Sequence, residues 1–206
     1  MREEIIQARG YSDQTEGDVL SLKIASYPTS AQYLARRLAS QGDTICELCC
    51  GIGVSLIELV KTFDKVIGVD NDHAVIDACK VNLDHAGVIN YDLVTADISA
   101  RTVLSNIQAD IVLYDIPYWS SHDGKVDPDT QNPNLQQVVR DIQELITDKI
   151  VIYTPPHMPY EEVGMAVGEC EYMQVWIDGK HDRNFAFLGS LTQNIGTTKI
   201  TLTTKV

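Results

Sequence analysis

Four acidic residues, Glu47, Asp70, Asp97 and Asp115, each stand at the end of a short apolar run, and two glycines, Gly51 and Gly53, follow the first of them. A carboxylate at the carboxyl end of a buried strand can accept hydrogen bonds from a ligand lying in the crevice beyond the sheet. Gly51 and Gly53 can take positive φ and carry no Cβ, so a ligand can lie against the backbone there. Asp70 follows the glycines by about 20 residues, the spacing that sets a carboxylate against a ribose diol. Where a dinucleotide fingerprint needs its third glycine the chain has Leu56, which disfavours a pyrophosphate. These residues read as a site for a nucleoside without a diphosphate. Asp97 could accept from an adenine amino group while a backbone amide near Ile98 reads a ring nitrogen. On those residues alone, a cap for a helix over 99–106 is the stronger reading. Asp115-Ile116-Pro117-Tyr118-Trp119 ends a further strand in a proline turn with two aromatics, which suits either core packing or the stacking of a ligand.

The elements that would hold these residues follow from periodicity and punctuation. Thr44 to Gly53 reads as a buried strand breaking into a tight turn, with a helix from Val54 to Phe63 after it. Further strands are expected over 65–70, 91–97, 110–115 and 149–154, with helices over 71–86, closed by Gly87, and 134–146, capped by Asn134. Upstream, a helix over 31–40 is expected, capped by Thr29 or Ser30 and ended by Gly42. Pro155, Pro156 and Pro159 stop the strand that precedes them, and a helix near 160–167 follows. Residues 171–177 and 183–191 read as a hairpin about Asp178-Gly179-Lys180, and 197–205 as an edge strand. Strands alternating with helices and closing in a hairpin give an α/β fold: a mostly parallel sheet with an antiparallel strand. Residues 120–133 are rich in Ser, Asp, Gly, Asn and Pro and are expected to form a loop at the rim of the site.

Composition bounds the rest. The chain has 206 residues, 44% of them hydrophobic, enough for a sizeable core in one domain and too few for two full ones. Residues 1–26 are mixed and polar and are expected to form an arm that covers the site or stays mobile, ahead of a single domain over 27–206. Five cysteines with no secretory signal and no membrane-spanning apolar run point to a reduced, cytoplasmic protein. Cys46 and Cys49 have redox-pair spacing but lie in a predicted buried strand, so they read as core cysteines. A net charge of −13 argues against a broad phosphate-binding face, so a nucleic-acid substrate would be held locally or with the help of a protein partner. His73 and His85 read as helix-terminal side chains rather than metal ligands.

With the four acids at four strand ends, the chain resembles a class I S-adenosylmethionine-dependent methyltransferase. Within that superfamily it is similar to trimethylguanosine synthase, the RNA cap guanosine-N2 methyltransferase, and its prokaryotic RNA-methylase relatives. The resemblance runs from about Tyr27 to Leu191. It is carried by Glu47-Leu-Cys-Cys-Gly-Ile-Gly53, Val66-Ile-Gly-Val-Asp70, Thr95-Ala-Asp97, Asp115-Ile-Pro-Tyr118, Ile146-Thr-Asp-Lys-Ile-Val-Ile-Tyr153 and Asn184-Phe-Ala-Phe-Leu-Gly-Ser190. It implies a Rossmann-like fold with a seven-stranded sheet, one strand antiparallel, and helices on both faces. It also implies S-adenosylmethionine as cofactor, bound by Glu47, Cys49, Gly51, Gly53, Asp70, Asn71, Asp97, Ile98 and Asp115. Catalysis falls to Asp115, Ile116, Pro117 and Tyr118, and the base stacks on Tyr118 and Trp119. Cap enzymes read Ser-Pro-Pro-Trp-Gly-Gly at the catalytic turn. Here it reads Asp-Ile-Pro-Tyr-Trp-Ser, nearer the Asp-Pro-Pro-Tyr of other base-amine methyltransferases.

The implied reaction is methylation of an exocyclic base amine, guanine N2 in RNA or in a cap-like nucleotide first. Such a nitrogen is a poor nucleophile until it pyramidalises. Asp115 and the Ile116 carbonyl can accept its two N–H bonds as charge develops, and no metal is required. Adenine N6 or a small molecule is the alternative acceptor. A non-catalytic cofactor-binding partner of another RNA-modifying subunit is a further reading, and a dinucleotide oxidoreductase a distant one.

Overall fold

The computed structural model describes residues 1–117 and 134–204. Their elements run α1 (Arg2–Arg9), α2 (Val19–Ile24), α3 (Pro28–Leu38), β1 (Thr44–Leu48), α4 (Val54–Leu59), β2 (Lys65–Asp70), α5 (His73–His85), β3 (Tyr91–Thr95), α6 (Arg101–Leu104), β4 (Ile111–Asp115), α7 (Leu135–Leu145), β5 (Ile150–Thr154), α8 (Tyr160–Val167), β6 (Glu171–Ile177), β7 (Lys180–Leu188) and β8 (Gly196–Leu202). Residue contacts divide the chain into two compact units, one built from Met1–Ala96 with the last residues of the chain and the other from Asp97–Thr201.

In the first unit the strands lie in the order β3-β2-β1. All are parallel, with Leu48 opposite Val69 and Asp70 opposite Thr95. Parallel strands need crossovers, and α4 and α5 supply them. Ile45, Cys46, Leu48, Val66 and Val69 are fully buried, as expected of strands covered on both faces. The helix over 31–40 begins earlier, at Pro28 in its first turn, with Tyr27 as N-cap and no side-chain cap. Proline fits that position because its missing N–H would be unpaired there anyway, and Ser30 Oγ instead donates to the Tyr27 carbonyl at 2.8 Å. Helix α4 is shorter than the sequence pattern suggests: past Leu59 the chain continues as a turn in which the Thr62 and Phe63 amides both donate to the Leu59 carbonyl. Asp72 caps α5 through the Ala74 and Val75 amides, and Gly87 follows it at φ 69°.

In the second unit the order is β4-β5-β7-β6-β8. Strands β4 and β5 are parallel, whereas β7 is antiparallel to both β5 and β6. The β6–β7 hairpin turns through Asp178 at φ 48° and Gly179 at φ 77°, the paired positive angles whose twist matches the flanking strands. Asn134 caps α7 by accepting from the Gln137 amide at 3.0 Å. The described residues carry eight strands where the resemblance implies seven, and the eighth is the edge strand expected over 197–205, which forms as β8. Within residues 1–26, Arg2–Arg9 and Val19–Ile24 are helices too short for periodicity to register, and the segment packs through Ile6, Tyr11 and Leu22. No helix among the described residues is long and apolar enough to cross a membrane.

Candidate active site

The glycine loop leaves β1 through three residues with positive φ, Cys49 at 60°, Gly51 at 56° and Gly53 at 79°. A cysteine in the left-handed region costs on the order of 1–3 kcal/mol and persists only where its surroundings over-determine it. Here the Cys50 amide donates to the Val69 carbonyl at 3.0 Å, and the Gly53 amide to the Cys50 carbonyl at 3.2 Å. The Gly51 amide donates to Asp70 Oδ2 at 3.0 Å. Asp70 Oδ1 also accepts from the Asp72 amide at 3.1 Å. Each carboxylate oxygen can accept twice, so these two bonds fix Asp70 and leave it able to receive the hydroxyls of a diol. Asn71, beside it, is exposed.

The two glycines do different work. A Cβ on Gly51 would meet nothing within 4 Å, so the backbone there is open to a ligand. A Cβ on Gly53 would overlap Cys79 Sγ, so at that position the missing side chain lets α5 approach. Glu47 is 1% exposed, and both its oxygens accept from the Ser55 hydroxyl, at 2.5 and 2.6 Å. Its carboxylate ties β1 to the first turn of α4. Ser55 has no motif position, and only its place in the first turn of the helix after the glycine loop bears on the contact. Cys46, buried beside Glu47, has its thiol pushed up by burial and then by that carboxylate. Cys50 is raised as well, first by its hydrogen bond with Cys79 and then by burial. None of the five cysteines is in a disulfide.

In the second unit, Asp97 is exposed. Its Oδ1 accepts from the Ser99 amide at 2.9 Å and its carbonyl from Ala100 at 3.1 Å, so it closes the turn before α6, whereas the helix itself is shorter than expected and has Ala100 as its N-cap with no side-chain cap. Ile98 is buried. Asp115 closes β4 opposite Tyr153 of β5, with its side chain 25% exposed. Arg183 Nη1 lies 3.9 Å from Asp115 Oδ2, and the Arg183 side chain is only 7% exposed. Its Nε donates to Asp182 Oδ2 at 2.8 Å, and its guanidinium lies over the Tyr153 ring, 5.2 Å from the centroid. Two carboxylates thus share one buried cation, which offsets the cost of burying it. Ile116 is buried and donates its amide to the Tyr153 carbonyl at 3.4 Å, while Pro117 is half-buried. Tyr118, Trp119 and the loop over 120–133 lie outside the described residues.

Behind Arg183, a buried polar chain stitches β5 to β7. Asn184 Nδ2 donates to the Pro155 carbonyl at 2.7 Å and to Thr154 Oγ1 at 3.2 Å, and its Oδ1 meets His181 Nε2 at 2.7 Å. Thr154 Oγ1 lies 3.0 Å from the Tyr172 hydroxyl, which donates to the Met158 carbonyl. Burial pushes Tyr172 up to about 12, so it remains a hydroxyl donor. Strand alternation puts consecutive residues such as Arg183 and Asn184 on opposite faces, but it could not say that both would be buried.

The profile of the methyltransferase domain family matches residues 45–148, just over half of the chain and all of the glycine loop, Asp70, Asp97 and Asp115. The chain belongs to this family. Its fold is shared with solved structures. It aligns with a candidate methyltransferase from Porphyromonas gingivalis W83 at a TM-score of 0.75 and 14% identity, over 94% of this chain and 49% of that one. It aligns with a candidate RNA methyltransferase from Pyrococcus horikoshii at a TM-score of 0.56 and 15% identity, over 91% and 94%. At such identities the likeness is one of fold. In sequence it is 31% identical over 80 residues to a tRNA (guanine(10)-N2)-dimethyltransferase of Methanothermobacter thermautotrophicus, spanning 39% of this chain and 23% of that protein.

Proposed function

We propose that this methyltransferase transfers a methyl group from S-adenosylmethionine to an exocyclic amine of a nucleic-acid base, guanine N2 in RNA or a cap-like nucleotide foremost. The observation that carries the reading is Asp115, a carboxylate at the end of β4, partly open to solvent and held beside the buried Arg183. The sequence likeness to a tRNA guanine-N2 dimethyltransferase supports the choice of base. The first unit fits the cofactor: Gly51 offers bare backbone and Asp70 a pre-set acceptor for the ribose hydroxyls. When bound, S-adenosylmethionine supplies a methyl group on a sulfonium, activated for in-line displacement.

This chain's own residues then have separate tasks. Asp115 and the Ile116 carbonyl accept the two N–H bonds of the amine, and those bonds strengthen as the nitrogen pyramidalises and gains positive charge. Such stabilisation grows toward the transition state rather than favouring bound substrate. Arg183 restrains the Asp115 carboxylate, so that little reorganisation is needed when charge appears. Tyr118 and Trp119 stack on the base and orient it. The net charge of −13 means that RNA is gripped around the reacting base rather than along its backbone.

Incubation with methyl-labelled S-adenosylmethionine and a panel of RNA, DNA and nucleotides, followed by nucleoside analysis, tests the reading. Label is expected in N2-methylguanosine. Label in N6-methyladenosine would instead favour the second reading, which the Asp-Ile-Pro-Tyr turn supports through its likeness to Asp-Pro-Pro-Tyr. Cofactor binding without transfer to any acceptor would favour a non-catalytic subunit.

A further inference from the structure

Asn82 lies on α5, 3% exposed, and all the hydrogen-bonding groups of its amide face outward from the helix to two other segments. Oδ1 accepts from the Glu16 amide at 2.6 Å, and Nδ2 donates to the Glu16 carbonyl at 2.9 Å and to the Ile52 carbonyl at 2.9 Å. Glu16 belongs to the N-terminal arm. Ile52 is the residue between the two glycines of the cofactor loop. One side chain therefore fastens the arm to the middle of the loop.

Packing reinforces the link. The Ile52 side chain is buried with Val54 against Ile6, Tyr11 and Leu22 of the arm. Gly17 passes so close that a Cβ there would lie 3.1 Å from Ile52 Cδ1. Within the arm the Tyr11 hydroxyl reaches the Ala25 carbonyl at 3.0 Å and Arg2 the Thr15 carbonyl at 2.7 Å, and a second link to α5 sets His85 Nδ1 3.3 Å from the Gln14 carbonyl. A loop with three positive φ angles needs its peptide planes held from outside. The bond from Asn82 to the Ile52 carbonyl holds the plane between Ile52 and Gly53.

We propose that Asn82 is a positioning residue that couples docking of residues 1–26 to the shape of the cofactor loop. Arm seating and cofactor binding then strengthen each other by the same factor, as linkage requires. The proposal rests on reading Gly51 and Asp70 as part of the S-adenosylmethionine site.

Two variants of the full chain test it, N82L, which keeps the branched heavy-atom skeleton and removes the amide, and E16P, which removes the arm's donor without touching α5. Calorimetry gives S-adenosylmethionine affinity, and amide hydrogen exchange reads residues 10–26 and 50–55 with and without cofactor. Both variants should bind the cofactor at least tenfold more weakly and, with no cofactor present, exchange at least tenfold faster at 50–55. In the parent, cofactor should slow exchange in the arm. Parental affinity in E16P together with faster exchange in its arm would overturn the coupling, as would parental exchange at 50–55 in both variants. If N82L loses its cooperative melt, E16P decides, since its change is confined to the arm. A parent that binds no S-adenosylmethionine, while both variants loosen 50–55, would reject the cofactor assignment and leave the arm-to-loop coupling standing.

Discussion

Gly51→Ala and Gly53→Ala, two residues apart in one loop, should fail in opposite ways. Alanine in the left-handed region costs about 1–2 kcal/mol, and both positions carry that cost, at φ 56° and 79°. At Gly53 the new methyl also overlaps Cys79 Sγ, and overpacking of a tight interior adds about 1–3 kcal/mol. Gly53→Ala should therefore lose about 2–5 kcal/mol, a drop of roughly 4–20 °C in Tm at 2–4 °C per kcal/mol for a chain of this size. Gly51→Ala should lose only about 1–2 kcal/mol, because its methyl projects into open space. Its damage should appear in calorimetry as weakened S-adenosylmethionine binding, since that space is where the proposed site puts the ligand. Adding Cys79→Ala to Gly53→Ala removes the colliding sulfur and should restore most of the overpacking cost, leaving the backbone strain. Thermal melts of the three variants give the comparison. Equal destabilisation by the two glycine substitutions, or no recovery on removing Cys79, would refute the assignment of Gly53 to helix packing.

Asp70→Ala should weaken cofactor binding by about 1.5–3 kcal/mol, the usual worth of a hydrogen bond to a charged group; calorimetry checks it, and unchanged affinity would move the ribose elsewhere. Asp115→Ala should depress turnover strongly while cofactor affinity changes little, and Arg183→Gln should lower kcat more than it raises KM, because the acceptor is then less firmly held; steady-state kinetics on the substrate found by labelling separates these outcomes. Cys46 and Cys50 are held protonated in the fold, whereas an unfolded thiol ionises near pH 8.5. Their contribution to stability is complete below that value and declines as pH rises above it. Tm should therefore fall between pH 8 and 10, and a double Cys46→Ala, Cys50→Ala variant should show a flatter decline.

The sequence was most legible where one physical signal dominated. Apolar runs bounded by turn residues located β1, β2, β4, β5 and β6 to within a residue or two, and helix α8 falls on the span expected for it. Asp178-Gly179 announced the hairpin because few sequences tolerate two successive positive φ angles. Helices α1 and α2 were not legible: at eight and six residues, their stability comes from packing onto Ile52 and Val54, which no local pattern records. The site divides in the same way. Gly51, Asp70 and Asp115 occupy strand ends whose geometry is general, so their positions could be inferred. Ser55, Asn82 and Arg183 act through partners 8, 30 and 68 residues away, and such pairings exist only once the chain is folded.

The β6–β7 hairpin also bears on the order of assembly. In each parallel strand pair a crossover must be ordered before the pairing offsets the lost chain entropy, whereas this turn closes over two residues. Hairpins of this kind form within about 1–10 μs, long before non-local strands meet. The register that sets Val175 opposite Arg183 and Gln174 opposite Asn184 can thus be established while β5 is still searching. When β5 arrives, Thr154 meets an Asn184 already in its frame, and the Arg183 guanidinium is covered only at that step. Arg183, which lies against Asp115, is set in frame by the most local turn in the unit, and a slip at Asp178-Gly179 would displace it before β5 had paired.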